Sequence, residues 1–163
     1  MSEREKIEDQ WRAVLKQAVD KCFKLGSIFY WPQEKHFFIY LGPAEQSGAH
    51  SFFVMASSQP YRNTKRNFGI VPEDFRNAKQ GTKSRAFIKT TYFLFSEYLN
   101  YCYETAKLRE IYVSGKLEYK FNLKTDLPDA FERLEYFIKN NLPPAYAKRF
   151  LDSANVLPDK AHQ

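Results

Sequence analysis

Apolar residues near the N-terminus recur at intervals of three and four positions, which is the period of one face of an α-helix. Gly26 follows the last of them, and glycine commonly ends a helix in a left-handed conformation. The pattern therefore predicts a helix over residues 1–25. Its apolar face consists of Ile7, Trp11, Val14, Leu15, Ala18, Val19, Cys22 and Phe23.

Beyond this helix the chain changes to short runs rich in aromatic and β-branched residues, which are typical of β-strands. The turns between the early runs are too short for parallel crossovers, so we expect antiparallel pairing. Short strands without helices between them favour a small barrel or a sandwich-like sheet. The runs lie at 27–31, 35–41, 51–57, 68–71 and 86–95.

The C-terminal part of the chain is less regular at first and then becomes helical. Residues 92–103 fit neither the strand nor the helix period, and the boundary near Ser96 stays open. Residues 111–113 and 117–121, on either side of Gly115, suggest a hairpin. Asp126 and Pro128 announce a helix start, and Pro143-Pro144 separates that helix from a second one.

Taken together, the elements predict one α+β domain over residues 1–157. It comprises an N-terminal helix (1–25), a barrel-like antiparallel sheet (26–124) and two C-terminal helices (125–157), followed by a disordered tail (158–163). A chain of 163 residues with 44% hydrophobic residues is suited to one packed core.

The sequence contains no long apolar run and no signal-peptide pattern, so we expect a cytoplasmic protein without a membrane contact. Its two cysteines, Cys22 and Cys102, lie among apolar residues and have no neighbours at metal-ligand spacing. They are expected to be buried free thiols rather than members of a zinc site or a disulfide.

Positive charge is concentrated in one segment of the chain. Residues 61–90 contain eight basic and two acidic residues, which account for the whole formal net charge of +6. Such a segment suits contact with RNA or another polyanion, because phosphate contacts supply most sequence-independent affinity. The alternative is a solvated loop whose charge keeps the protein soluble.

The absence of several catalytic and cofactor-binding motifs narrows the reactions that this chain could catalyse. The chain has no glycine-rich phosphate loop and no nucleophile elbow, and its three histidines lack neighbouring acidic clusters. We therefore expect neither a metal nor a cofactor. RNA cleavage through its own 2′-hydroxyl needs only a proton acceptor, a proton donor and cations. The candidates for this chemistry are His36, Ser57, Ser58 and Arg62.

Further residues are candidates for contacts with nucleic acid. Guanidinium groups suit phosphate, lysines add charge, and an aromatic ring beside them offers a stacking surface. Each candidate also has an ordinary interpretation as a turn, core or solvated side chain. The predicted contacts are Tyr61, Arg62, Lys65, Arg66, Lys83, Arg85 and Lys89.

The order of several short segments resembles the PemK/MazF-like toxins. These segments are Gly26-Ser27-Ile28-Phe29, the run 35–41, the run 53–58 and Phe87-Ile88-Lys89, followed by a helical C-terminus. The resemblance spans residues 26–155. The family usually has Gly-Asp where this chain has Gly26-Ser27, and Arg-Pro where it has Lys35-His36.

The resemblance implies an SH3-like barrel and a metal-independent endoribonuclease acting on single-stranded RNA. It also implies a neutralising antitoxin-like protein and a homodimer. The family's hydroxyl residue after the third strand would fall on Ser57 or Ser58, with His36 or Arg62 replacing the missing arginine. Two other functions stay open: a non-catalytic barrel that binds nucleic acid or a protein partner, and a structural adaptor.

Overall fold

The computed structural model describes residues 2–75, 89–95 and 101–160, with residues 153–160 described by their backbone alone. The helices are α1 (Glu3–Cys22), α2 (Thr105–Val113), α3 (Leu123–Asp126), α4 (Pro128–Asn141) and α5 (Pro144–Lys160). The strands are β1 (Ser27–Trp31), β2 (His36–Pro43), β3 (His50–Ser57), β4 (Asn67–Ile70), β5 (Thr91–Leu94), β6 (Cys102–Glu104) and β7 (Glu118–Asn122).

These strands form one antiparallel sheet in the order β4-β5-β3-β2-β1-β7, with β6 also paired to β3. The predicted α+β class and antiparallel pairing are confirmed, as are the N-terminal helix and the two C-terminal helices. Within the described residues β4 and β7 do not pair with each other, so this sheet is not closed into a barrel.

Strands β5 and β6 act as two parts of one partner for β3. Ala56 of β3 pairs with Phe93 of β5, and Phe52 of β3 pairs with Cys102 of β6. A step of four residues along β3 therefore corresponds to a step of nine residues from β5 to β6. The partner therefore carries five extra residues between the two paired parts. This interruption explains why residues 92–103 fit no single period.

Both faces of the central strands are buried. Ile28 and Phe29 are adjacent on β1, and each is fully shielded from solvent. Because neighbouring side chains on a strand point to opposite faces, two separate apolar clusters form, one on each face. Strands that are covered on both faces have continuous apolar runs rather than alternating ones. This is the pattern in Phe37–Leu41 and Phe52–Val54.

Different helices cover the two faces. On one face, α4 and α5 supply Phe131, Leu134 and Phe150, which pack with Ile28 and Val54. On the other face, the end of α1 and helix α2 pack against an aromatic cluster of Phe23, Phe29, Phe38, Tyr40 and Phe53. The sheet is thus a middle layer between two helical layers.

A buried polar junction joins the start of β1 to the end of β7. The Asn122 side chain donates to the Leu25 carbonyl at 3.0 Å and to the Ser27 hydroxyl at 3.2 Å. Gly26 lies beside it with φ +92°, and a Cβ atom there would approach the backbone nitrogen of Lys124 to 3.0 Å. Both the left-handed backbone and the close approach therefore require glycine at this position.

One predicted hairpin is wrong. Residues 111–113 belong to α2, whose Leu108 is buried and whose last turn leads through Gly115 (φ +79°) into β7. Strand β7 pairs with β1 rather than with residues 111–113. Helix α5 extends to Lys160 and so includes the first residues of the expected tail, whereas residues 161–163 lie outside the described part.

Two tyrosines, the half-buried Tyr112 and the buried Tyr40, should make the protein sensitive to alkaline pH. The Tyr112 hydroxyl contacts the Cys22 sulfur at 3.0 Å, and this hydrogen bond together with burial raises the pKa of Tyr112 to about 12. Burial also raises the pKa of Tyr40 above its ordinary value of 10.0.

A raised pKa favours the neutral phenol in the folded state, so its stabilisation is complete below pH 10 and is lost as the pH rises toward 12. We expect the free energy of unfolding to fall across this window in denaturant titrations. Tyr112→Phe should make the decrease shallower. An equal decrease in both proteins would contradict this assignment.

Among the helices of the described part, none combines the length and the apolar character needed to cross a membrane.

Candidate nucleic-acid interface

His36 lies at the start of β2 and is half-buried. Its Nδ1 atom is 3.0 Å from the carbonyl oxygen of Ala56 on β3. A carbonyl oxygen can only accept a hydrogen bond, so Nδ1 carries the hydrogen and donates it. In the neutral ring the lone pair is then on Nε2. The pairing of β2 with β3 thus fixes both the orientation and the tautomer of this imidazole.

Three other predicted site residues lie at the same end of the sheet as His36. Ser57 ends β3 and pairs with Tyr92 near the start of β5. Ser58 follows it and is exposed, and Lys89 is exposed just before β5. The Ser57 hydroxyl accepts a hydrogen bond from the Gln59 amide at 3.1 Å, which leaves its own hydrogen available. We call His36, Ser57, Ser58 and Lys89 the strand-end group.

The segment 58–66 carries the chain from one end of β5 to the other. Ser57 pairs with Tyr92, whereas Asn67 at the start of β4 pairs with Leu94. The Asn67 side chain holds this segment, because it accepts from the Tyr61 amide at 2.9 Å and donates to the Tyr61 carbonyl at 2.8 Å. The segment is therefore a bound crossover rather than a loose loop.

Exposed basic and aromatic side chains project from this crossover. Tyr61 is 38% exposed, and Arg62 and Lys65 are exposed beyond it. A short helical turn at Thr64–Arg66 begins with the Asn63 side chain, which accepts from the Lys65 amide at 3.2 Å. We call Ser58, Tyr61, Arg62 and Lys65 the crossover surface.

Arg66 differs from its neighbours. It is half-buried, and its Nη1 atom is buried without a hydrogen-bond partner among the described residues. Burial raises the pKa of Tyr101, and the positive charge of Arg66 partly opposes that rise. Arg66 therefore faces the interior rather than the crossover surface.

The predicted site residues do not all lie at one place on the sheet. The strand-end group lies at the start of β5, whereas Arg66 lies at its far end, where its carbonyl accepts from the Phe95 amide at 2.8 Å. A strand of four residues separates them by about 10 Å. Lys83 and Arg85 lie outside the described residues.

A second imidazole, that of His50, was not among the predicted site residues and has a carboxylate partner. His50 Nδ1 is 2.7 Å from Glu45 Oε1, and this contact is the main cause that lowers the pKa of Glu45. His50 also lines an open cavity of about 490 Å³ together with Thr105 and Arg109. The five-residue spacing across Ser47-Gly48 was the only sequence signal for this pair.

No group of three or more His, Cys, Asp or Glu side chains that could hold a metal ion occurs in the described part of the chain. Comparison of the chain with protein families, with curated proteins and with solved structures found no match.

Proposed function

We propose that the protein binds single-stranded RNA on the crossover surface and cleaves it without a metal ion, as a PemK/MazF-like toxin would. The observation that carries this proposal is the His36 imidazole, which is held by Ala56 so that Nε2 is its free nitrogen. It lies at the strand end from which the exposed basic crossover starts. The proposal joins a positioned proton acceptor to a polyanion-binding surface.

In the proposed reaction, His36 Nε2 removes the proton from a ribose 2′-hydroxyl. The 2′-oxygen attacks the adjacent phosphorus and forms a P–O bond, while the bond from phosphorus to the 5′-oxygen breaks. That oxygen takes a proton from solvent, and the products carry a 2′,3′-cyclic phosphate and a 5′-hydroxyl. Lys89 and the hydroxyl of Ser58, which are exposed at the same end of the sheet, are assigned to stabilise charge on the phosphate.

Binding is proposed to follow the crossover. Arg62 and Lys65 contact phosphates, and Tyr61 stacks on a base, which is a sequence-tolerant way to hold a single strand. Arg66 contributes only to the field, because its guanidinium is turned inward. An SH3-like barrel is also part of this proposal. What supports it is β3, which pairs with β2 on one edge and with both β5 and β6 on the other.

A second function is a module that binds RNA or a protein partner without catalysis. One observation favours it: the Ser57 hydroxyl already accepts a bond from its own chain, as in an ordinary turn. In this case the crossover surface would act alone, and His36 would serve only to join β2 to β3.

Incubation with labelled single-stranded RNA in EDTA tests both functions. Cleavage to fragments with 2′,3′-cyclic phosphate ends supports the enzyme, and a DNA strand of the same sequence should stay intact because it lacks the 2′-hydroxyl. RNA that is bound but uncut supports the binding module. RNA that is neither bound nor cut at low salt contradicts the enzyme and the RNA-binding module, and leaves only a module that binds a protein partner.

Charge reversal at the crossover tests the binding surface directly. The double variant Arg62→Glu with Lys65→Glu should weaken RNA binding at least about tenfold. The slope of log affinity against log salt concentration should also become shallower by about two, because two phosphate contacts are lost. Fluorescence anisotropy over a range of salt concentrations measures both quantities.

The matched control is Lys139→Glu with Lys148→Glu, which makes the same change in net charge on exposed positions of α4 and α5. An equal loss of affinity in the control would mean that only the overall charge matters, and it would remove the crossover from the proposal.

A further inference from the structure

Helix α1 presents an apolar face that nothing in the described part of the chain covers. Only the end of the helix packs on the body, through Val19 and the following Phe23. Trp11 is 70% exposed, Val14 is 58% exposed and Ile7 is 51% exposed. These side chains recur at intervals of three and four, so they form one continuous stripe. An exposed stripe of large apolar side chains marks a site of association.

Charge along α1 is divided between its two halves. The first half carries four acidic and two basic side chains: Glu3, Glu5, Glu8, Asp9, Arg4 and Lys6. The second half carries three basic side chains and one acidic one: Arg12, Lys16, Lys21 and Asp20. Asp20 is already paired with Arg109 of α2 at 2.7 Å. The helix is therefore acidic at its start and basic at its end.

Such a helix is complementary to a second copy of itself in the antiparallel orientation. The acidic half of each copy then meets the basic half of the other, and the two helix dipoles oppose each other favourably. A parallel arrangement would place like charges together. The intrahelical pairs do not compete strongly, since Arg4–Glu8 and Arg12–Asp9 are exposed and 3.4 and 3.8 Å long.

The second half of α1 also borders a concave region of about 550 Å³. It is lined by Val14, Gln17, Ala18, Asp20, Lys21 and Lys24. The lining is partly apolar and has a basic excess, so it suits the acidic and apolar start of another α1. We propose that two copies of the chain associate through antiparallel α1 helices, with Trp11 of each copy packed against the Val14 region of the other.

Sedimentation of the full chain tests the proposal. We expect a dimer that Trp11→Glu dissociates, with the dissociation constant raised at least about tenfold because a buried anchor is replaced by a charge. Tyr136→Glu is the control, since Tyr136 is 72% exposed on α4. A protein that stays monomeric up to about 100 μM would overturn the proposal.

Disulfide trapping tests the orientation. Gln10 and Gln17 are two helical turns apart on one side of the stripe. In a background with Cys22→Ser and Cys102→Ala, a mixture of Gln10→Cys and Gln17→Cys chains should form a cross-linked dimer, whereas neither variant should do so alone. Cross-linking of each variant by itself would indicate parallel helices and would overturn the antiparallel assignment, as would the absence of any cross-link.

Discussion

Replacing His36 with Gln is expected to slow RNA cleavage by about 10²- to 10⁴-fold, the usual contribution of a positioned general base. Glutamine is close in size, and its amide can still donate to the Ala56 carbonyl, so β2 and β3 should stay paired. What the variant lacks is a nitrogen that can take a proton. RNA affinity should change little, because phosphate contacts are assigned to the crossover surface.

The matched variant is His50→Gln, which removes the other described imidazole and its contact with Glu45. It should leave the cleavage rate within about twofold, the scatter expected of a residue outside the reaction. Comparing single-turnover rates of the two variants separates the candidates. If His50→Gln lost activity and His36→Gln kept it, the chemistry would belong to the cavity beside Arg109 instead.

Replacing Phe53 with Ala is expected to lower the free energy of unfolding by about 3–5 kcal/mol, the cost of leaving a cavity where a core phenylalanine was. Phe53 is completely buried at the centre of the aromatic cluster. Its ring stacks on Phe38 with centroids 4.8 Å apart and an interplanar angle of 8°. Phe29 and Tyr103 contact it at 5.8 Å from two further directions.

Denaturant unfolding at neutral pH measures this loss. Tyr136→Ala removes an aromatic ring of similar size from an exposed position of α4, and it should change the stability by less than about 0.5 kcal/mol. If Phe53→Ala cost no more than Tyr136→Ala, the aromatic cluster would not be a close-packed core.

Strong local patterns made much of the fold predictable. The aromatic runs that became β1, β2 and β3 are unbroken and bounded by turns, so their position followed from composition alone. Helix α2 was missed for a local reason. Its N-cap, Glu104, makes no side-chain capping bond, so no start signal precedes it. The run Ile111–Val113 has the composition of a strand.

The arrangement of the strands was not predictable, because pairing depends on distant parts of the chain. The continuous apolar runs of β2 and β3 are typical of strands covered on both faces, but they do not indicate which helices cover each face. No local signal indicates that β5 and β6 share β3 as a partner. The barrel expectation rested on short strands without helices between them, whereas the observed pairings leave β4 and β7 unpaired with each other within the described residues.

The candidate site was predictable only as a set of residue types. Sequence order put Arg62 and Arg66 in one basic segment, but Arg62 is exposed before the short helical turn, whereas Arg66 at the end of that turn is directed inward. The contact between His36 and Ala56 joins residues 20 positions apart, and only strand pairing creates it. The contact between Glu45 and His50 likewise forms only because a turn brings the two residues together.

The pairing of β1 with β7 also affects the order in which the chain can fold during synthesis. Strand β1 leaves the ribosome well before its outer partner, which comprises residues 118–122. Until that stretch has emerged, one edge of β1 has unpaired backbone groups, and the Asn122 junction cannot form. A nascent chain stalled before residue 118 therefore carries an open strand edge, which is a template for aggregation and a natural target for chaperones.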